Sequence, residues 1–247
     1  MHDDLYAELR LLKDLGFTEL DLSRGRAGGD APAAPRADPE AAVRFLAGIP
    51  EAADIAALSS MAELEQLARN CVRCRLATGR TQVVVGSGDR SAELMFVGEA
   101  PGRDEDLEGF PFVGRAGKLL TDIINAMQLR REDVYIANVI KCRPPENRNP
   151  EPDELAACRP WIDRQIELVA PRVIVTLGKF AAQSLLGRGV AISAVRGEWH
   201  SHGAIRVMPT YHPAYLLRTP SAKKDVWKDM QKVMGELGIA VPEKNEP

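Results

Sequence analysis

Four short apolar segments alternate with helical patterns after about residue 60, and this alternation limits the folds available to the chain. The segments are rich in β-branched residues and cover residues 93–98, 134–140, 172–178 and 205–210. Helical periodicity fills the intervals between them and the stretch that follows the last one. Strands that alternate with helices are typical of βα units around a mostly parallel sheet. We therefore predict an α/β protein.

The unusual residues of the sequence come directly after these four segments. The loops "GEAPGRDED", "CRPPENRNPEPDE" and "YHPAYLLR" follow the first, second and fourth segments, and Gly178 and Lys179 follow the third. Parallel sheets bind ligands at the carboxyl ends of their strands. We expect one pocket to collect all four loops.

The first 60 residues differ from the rest in charge and pattern. They contain 6 basic and 11 acidic side chains, a net charge of −5, whereas residues 61–247 contain 26 and 24, a net charge of +2. Leucines at helical spacing are followed by a Gly-, Pro- and Ala-rich stretch that is typical of a flexible linker. We predict an N-terminal extension over 1–60, either poorly ordered or with a short helix that docks a protein partner, and a folded domain over 61–247.

Composition and charge exclude few classes of function. The formal net charge of −3 argues neither for nor against a nucleic-acid partner, so any basic surface must be local. No run of 18 apolar residues is present, and the acidic start "MHDDLYAELR" does not resemble a secretory signal. We therefore expect no membrane partner and a cytoplasmic location.

The chain has four cysteines in an uncommon spacing. Two form a C-x2-C pair, and after 67 residues two more are separated by 15 residues. Disulfides are improbable in a cytoplasmic chain of this size, and the spacing fits neither a zinc ribbon nor a plant ferredoxin. Four thiolates suggest ligation of a [4Fe–4S] cluster or of zinc, with structural buried thiols as the alternative. Flanking Arg and Lys residues in "CVRCR" and "KCRPP" favour thiolates.

The glycine-rich segments do not match the common nucleotide-binding motifs. "GEAPG" lacks the third glycine of G-x-G-x-x-G, and "VGRAGKLL" lacks the spacing and hydroxyl residue of a Walker A motif. These glycines either form plain tight turns or let backbone amides approach a DNA phosphate.

Two aromatic residues and one amide are candidates for binding a flat polar ligand. Phe110 and Phe112 lie in a Gly- and Pro-rich loop, where aromatic rings either stack on a ligand or fold over the core. Asn138 lies in an otherwise apolar strand and must find partners in the backbone or in a ligand. An amide offers both a donor and an acceptor, which suits a nucleobase edge.

The segment "YHPAYLLR" combines a histidine with exposed apolar residues. His212 precedes Pro213 at the end of the fourth strand, which alone is weak support for a functional role. Leu216 and Leu217 follow it in the predicted loop tip. Apolar side chains in such a tip can enter a base stack.

Together these segments resemble the uracil-DNA glycosylase superfamily, and most closely its family 4, the iron–sulfur uracil-DNA glycosylases. The resemblance covers about residues 65–237. The stretches that match are "GEAPGRDED", "PFVGRAGKLL", "VYIANVIKCRPPENRNPEPDE", "TLGKFAAQSLLG" and "HPAYLLR", with the four cysteines. The resemblance implies a three-layer α/β/α sandwich on a central four-stranded parallel sheet. It also implies excision of uracil from DNA, which leaves an abasic site. We expect the protein to be a monomer. The implied ligands of a [4Fe–4S] cluster are Cys71, Cys74, Cys142 and Cys158.

The resemblance also implies roles for individual residues. Better-known relatives carry a Gln and a water-activating Asp where this chain has Glu99 and Ala100, and a Tyr that excludes thymine where it has Gly102. We expect Glu105 to close the pocket or orient water and Glu99 to hold the loop. The predicted catalytic residues are His212, Glu105 and Glu99; the predicted base-binding residues are Gly98, Ala100, Phe112 and Asn138; and the predicted DNA-contacting residues are Leu216, Leu217 and Arg218.

Three other functions are alternatives to this prediction. A non-catalytic, cluster-bearing DNA-binding module would release no uracil. A covalently trapping relative would carry a histidine after "VG", and "VGRAGKLL" has none. A Cys₄ zinc protein would lack the brown colour expected of an iron–sulfur cluster.

Overall fold

The computed structural model describes residues 50–187 and 189–242. Most of the predicted N-terminal extension lies outside the described residues. This part includes the linker and the helix that was predicted to dock a protein partner. Within residues 50–60, a short helix buries Ile55 in the same apolar core as Leu64. This part of the predicted extension therefore packs with the residues that follow it.

The described helices fall between the strands as the sequence pattern predicts. Short 3₁₀ segments lie at Arg75–Thr78, Arg131–Asp133, Pro145–Asn147 and Pro220–Ala222. The α-helices are α1 (Ala52–Ala56), α2 (Met61–Arg69), α3 (Arg103–Glu108), α4 (Arg115–Ala126), α5 (Pro152–Val169), α6 (Lys179–Leu186), α7 (Ile192–Val195), α8 (Pro213–Arg218) and α9 (Lys223–Leu237).

The sheet of the described residues is mixed and has six strands. They are β1 (Ser87–Gly88), β2 (Leu94–Gly98), β3 (Tyr135–Asn138), β4 (Val173–Leu177), β5 (His200–His202) and β6 (Ile205–Thr210), in the order β1-β3-β2-β4-β6-β5. The four strands predicted from the apolar segments pair in parallel at the centre, and β1 and β5 add antiparallel edges. The predicted sheet of four parallel strands is thus too small, because the two edge strands are too short and polar to give a strand signal.

Helices cover both faces of this sheet. The central strands are buried on both sides, as expected for parallel strands. Met95 and Val97 point into one core, which includes Leu64 of α2 and Ile162 of α5. Leu94 and Phe96 alternate with them and point into the second core, which helices α4 and α9 complete.

Among the helices of residues 50–187 and 189–242, none is both long enough and apolar enough to cross a membrane. The cytoplasmic location and the monomeric state remain predictions.

Candidate active site

A cavity of about 520 Å³ opens at the carboxyl ends of β2, β3 and β6. Its wall includes residues from the loops that follow these three strands, so the structure brings together three of the four loops predicted to meet. The loop after β4 does not line the cavity. Instead Gly178 supports the site from behind, since a Cβ atom there would lie 3.1 Å from the Cβ of His212.

Gly98 allows two predicted base-binding side chains to approach each other. It ends β2 and pairs with Asn138 in the parallel register. A Cβ atom at Gly98 would lie 2.4 Å from Oδ1 of Asn138 and 2.5 Å from Cζ of Phe112. Any side chain at position 98 would therefore displace both residues.

Phe112 is held in a constrained backbone conformation beside the histidine. Its φ of 54° lies in the left-handed region, and the side chain is buried. Gly117 packs directly beneath, because a Cβ there would lie 1.8 Å from the Phe112 carbonyl oxygen. Arg131 donates a hydrogen bond to the carbonyl of Pro111. The Phe112 ring centroid lies 5.5 Å from that of His212.

Asn138 has a buried acceptor without a partner. The residue is 2% exposed, and its Oδ1 accepts no hydrogen bond from any of the described residues. Lys141 fixes the backbone here, since its Nζ donates to the Asn138 carbonyl over 2.6 Å. Buried polar atoms are nearly always satisfied, so a free amide oxygen at a cavity indicates a ligand that supplies a donor.

His212 is a neutral donor toward the cavity. Its Nδ1 accepts a hydrogen bond from the backbone N–H of Ala214 over 3.1 Å. Burial, aided by the nearby Arg218, lowers the pKa of His212 to about 4. The ring is therefore uncharged at neutral pH, and with Nδ1 as an acceptor its single proton resides on Nε2.

Glu105 holds the acidic loop together. Its carboxylate accepts hydrogen bonds from the backbone N–H groups of Gly102 at 3.0 Å, Val113 at 3.0 Å and Gly114 at 3.1 Å. These contacts join the turn after β2 to the start of α4. We predicted that Glu99 holds this loop, but the backbone amides of the loop donate to Glu105 instead.

Glu99 is the acid that remains free to act in the cavity. It is partly buried on the cavity wall, and no described side chain or backbone group hydrogen-bonds its carboxyl. Burial raises the pKa of Glu99 to about 7. The neighbouring Ala100 also lines the cavity and offers no acid.

The other two acids of "GEAPGRDED" lie outside the cavity wall. Asp104 is exposed. Asp106 is buried and accepts a hydrogen bond from the Thr81 backbone N–H over 2.9 Å. Asp104 is thus solvated, whereas Asp106 is a buried hydrogen-bond acceptor.

The two leucines of α8 occupy different environments. Leu216 is 1% exposed within the second core, so it cannot enter DNA as predicted. Leu217 is 43% exposed. Arg218 lines the cavity, as does Tyr215, whose ring lies 4.9 Å from that of Tyr211. Sequence reasoning missed Tyr215, although it lies three residues after His212 in the same motif.

The loop between β3 and α5, one of the four loops predicted to meet at the pocket, forms another wall of the cavity. Pro144, Asn147 and Arg148 line the cavity. Arg148 makes two hydrogen bonds to the buried carboxylate of Glu154, at 2.9 and 2.6 Å, and Arg75 adds a third at 3.1 Å. Ion pairs thus fix this loop to α5.

The four cysteines line a second, apolar cavity. It lies between the end of α2, the segment that contains Lys141 and Cys142, and α5, and its lining includes Cys71, Cys74, Cys142 and Cys158. Arg80 donates to Sγ of Cys142 and the Lys141 backbone N–H donates to Sγ of Cys158, both over 3.3 Å. Burial raises the pKa of Cys142 to about 11 and that of Cys158 to about 12. Without a bound cation these thiols are protonated at neutral pH.

The four cysteines share one cavity, but the described side chains do not form a compact group of metal ligands. In the described part of the chain, no group of three or more His, Cys, Asp or Glu side chains is arranged to hold a metal ion.

The sequence matches one family model and several curated proteins. The family model described as "Uracil DNA glycosylase superfamily" matches residues 85–231. A type-4 uracil-DNA glycosylase of Saccharolobus solfataricus is 48% identical over 178 residues, which cover 68% of this chain and 82% of that protein. For the type-4 enzyme of Archaeoglobus fulgidus the identity is 44%, over 73% of this chain and 94% of that protein. A type-5 uracil-DNA glycosylase of Thermus thermophilus is 32% identical, over 52% of this chain and 68% of that protein.

The α/β fold and the pocket at its strand ends thus occur in a chain that belongs to the uracil-DNA glycosylase superfamily, and within it to the type-4 proteins. The type-4 relatives are more similar to it than the type-5 protein, both in identity and in coverage. The predicted family is confirmed.

Proposed function

We propose that the protein removes uracil from DNA by hydrolysing its N-glycosidic bond, which leaves an abasic site and begins base excision repair. The relatives named above carry this activity in their names. The observation in this chain that carries the proposal is the unpartnered Oδ1 of Asn138, buried between Phe112 and the strand end in a cavity that His212 also lines.

Base recognition rests on Phe112 and Asn138. The Phe112 ring stacks on the flipped base, while Asn138 Oδ1 accepts from uracil N3–H and its amide donates to O4. Cytosine presents an acceptor at N3 and a donor at C4, so both groups of the amide would face mismatched partners. Buried polar mismatches of this kind discriminate by ~10⁴ or more.

His212 stabilises the leaving group. Cleavage of the glycosidic bond places negative charge on the uracil ring, and the Nε2–H of a neutral imidazole donates to O2 as this charge develops. The neutral state follows from burial of the ring, and the donor position follows from the bond that Nδ1 accepts from Ala214. Such a preorganised donor contributes about 3 kcal/mol to the transition state.

Glu99 is the best-placed residue to orient the attacking water. Its carboxyl lines the cavity without a competing partner, and a pKa of about 7 suits a general base near neutral pH. Glu105 has a structural role: its carboxylate accepts three backbone hydrogen bonds that close the loop over the pocket. Ala100 leaves space beside Glu99 for a water molecule.

DNA binding involves α8 and the turns beside the cavity. Flipping the nucleotide costs a few kcal/mol, and an inserted apolar side chain offsets part of the lost stacking. Leu217 is the exposed leucine of α8, so it fills the space that the flipped nucleotide leaves in the base stack, with Arg218 near the phosphates. The backbone amides of the glycine turns offer further phosphate contacts.

The four cysteines are proposed to hold a [4Fe–4S] cluster. Two features support this assignment: the cysteines line one cavity, and N–H groups already donate to two of their sulfurs. Hydrolysis needs no electron transfer, so the cluster supplies structural support. It ties α2 and α5 to the loop that carries Arg148.

The proposed activity is tested with a labelled oligonucleotide that contains one uracil, beside matched oligonucleotides with thymine or cytosine, followed by alkali. We expect a break only at uracil, and loss of that break in Asn138→Ala purified in the same way. The variant controls for a contaminating glycosylase. No break from wild-type protein with its full iron content would contradict the proposal.

A further inference from the structure

Trp161 carries a buried hydrogen-bond donor that has no acceptor. The residue lies on α5 and is 1% exposed. Its indole Nε1 is fully buried and makes no hydrogen bond within the described structure. A buried N–H without an acceptor costs free energy, so native proteins rarely keep one unless another group satisfies it.

The cavity that Trp161 lines restricts what this acceptor can be. The same cavity is lined by the four cysteines, by alanine and valine side chains, and by three cations. Those cations are Arg73, Arg80 and Lys141, which are donors at neutral pH and accept nothing. Among the side chains on the wall, sulfur is therefore the only type of acceptor.

We propose that the indole N–H of Trp161 donates a hydrogen bond to a sulfur of the iron–sulfur cluster, either a cysteine thiolate or an inorganic sulfide. This inference rests on the cluster assigned under the proposed function. Trp161 becomes a positioning residue for the cluster. It joins the Arg80 guanidinium and the Lys141 amide, which already donate to Cys142 and Cys158.

Two properties of the cluster follow from this hydrogen bond. Donors to cluster sulfurs stabilise the more negatively charged, reduced state, so they raise the reduction potential. A donor that is lost also weakens the hold of the protein on the cluster. Neither property depends on the glycosylase reaction, so both can be measured without DNA.

The test compares Trp161→Phe with wild type and with Trp227→Phe, all in the full-length chain. Phenylalanine keeps the aromatic packing and removes only the N–H. Trp227 lies on α9 and packs against the other core, so it controls for loss of a tryptophan. Iron content is measured first, then the reduction potential and the half-life of the cluster absorbance in the presence of a chelator.

We expect Trp161→Phe to contain the same iron as wild type, to have a more negative potential and to lose its cluster about fivefold faster, a change typical of one hydrogen bond. Trp227→Phe should match wild type in all three measurements. A Trp161→Phe protein that matches wild type in both potential and half-life overturns the inference. Wild-type protein with zinc or without iron overturns the cofactor assignment, and the inference with it.

An NMR measurement on wild-type protein covers the case in which Trp161→Phe does not assemble. The chain has three tryptophans, so indole-¹⁵N labelling gives three N–H signals. We expect one signal to show a hyperfine shift from the cluster, and Trp227→Phe and Trp199→Phe should each remove one of the other two. Three unshifted signals from iron-loaded protein overturn the inference.

Discussion

At the scale of single residues, the neutral state of His212 predicts a contribution to the cleavage rate that is larger than its contribution to DNA binding. Burial keeps His212 uncharged, so it does not attract DNA phosphates, and its value lies in the charge that develops on the departing base. We expect His212→Ala to slow single-turnover cleavage by about 10²- to 10³-fold. Binding of a uracil-containing duplex should change by less than about threefold, because one uncharged hydrogen bond is lost.

Rapid-quench kinetics measure the single-turnover cleavage rate, and fluorescence anisotropy measures DNA binding on the same oligonucleotide. His200→Ala is the matched control, since His200 lies on the edge strand β5 and outside the cavity wall. Equal losses of cleavage and binding in His212→Ala would refute the catalytic role.

Glu99 gives the reaction its expected pH dependence. Its carboxylate is the active form of a base, and with a pKa of about 7 this form increases as the pH rises from 6 to 8. The single-turnover rate should therefore increase over this range and level off above it. His212, with a pKa of about 4, is neutral throughout and contributes no change.

Glu99→Gln removes the titrating group and should give a slower rate that is flat between pH 6 and 8. Glu108→Gln, an exposed acid at the end of α3, serves as the control and should keep the wild-type profile. A wild-type profile that stays unchanged in Glu99→Gln would assign the ionisation to another group.

At the scale of the element, helix α8 divides its leucines between core and solvent. Leu216 packs in the second core and Leu217 points outward. We expect Leu217→Ala to slow excision from double-stranded DNA more than from single-stranded DNA, because only the duplex must be unstacked. Its thermal stability should stay close to that of wild type.

Leu216→Ala should have the opposite effect. Truncating a buried leucine lowers the free energy of unfolding by about 2–5 kcal/mol. Leu216→Ala and Leu217→Ala are compared by chemical denaturation and by excision assays on single-stranded and double-stranded DNA. A strand-dependent defect in Leu216→Ala but not in Leu217→Ala would reverse the assignment.

The loop between β3 and α5 depends on one buried carboxylate. Glu154 is held by Arg148 and Arg75, and these contacts lower its pKa to about 2. We expect Glu154→Gln to lower the free energy of unfolding by about 2 kcal/mol at pH 7. It should also raise KM more than it lowers kcat, because Asn147 and Arg148 line the cavity.

The pH dependence of this loss has a definite sign. A carboxyl whose folded pKa lies below its usual value of 4.5 stabilises the fold above that value and ceases to do so as the pH falls toward 2. The stability difference between wild type and Glu154→Gln should therefore narrow below about pH 4.5. Urea denaturation at several pH values measures it, and a difference that is constant down to pH 2.5 would count against an ionic role.

At the scale of the whole molecule, the sequence predicts what depends on local pattern. The four central strands are longer and rich in β-branched residues, so they can be predicted from the sequence without knowing which strands they pair with. Strand β1 has two residues and β5 has the sequence "HSH", and both exist only because a neighbouring strand offers hydrogen bonds. The motifs that contain Glu99 and His212 were recognised in the same way, because each directly follows a strand.

Contacts between distant segments could not be read from the sequence. Glu105 reaches Val113 and Gly114, and Arg75 reaches Glu154 across 79 positions. Which of two acids holds a loop, or which of two adjacent leucines is buried, is decided by such packing. For this reason local pattern assigned the loop-holding role to Glu99, whereas the hydrogen bonds that hold the loop go to Glu105.

The boundary of the folded domain follows from the contacts of residues 50–60. Ile55 is fully buried in the first core, Arg164 donates to the carbonyl of Leu58 over 2.8 Å, and Arg73 donates to that of Pro50. We therefore expect a chain that begins at residue 50 to keep its stability and its uracil excision. A chain that begins at residue 61 should unfold more easily, by about 2–5 kcal/mol for the loss of Ile55 alone.

Urea denaturation and single-turnover excision compare the two truncations with the full-length protein. The substitution Ile55→Ala in the full-length chain separates the loss of core packing from the loss of chain length. If the chain starting at residue 61 were as stable as the one starting at residue 50, the domain would begin at α2. In that case the burial of Ile55 would contribute nothing to the fold.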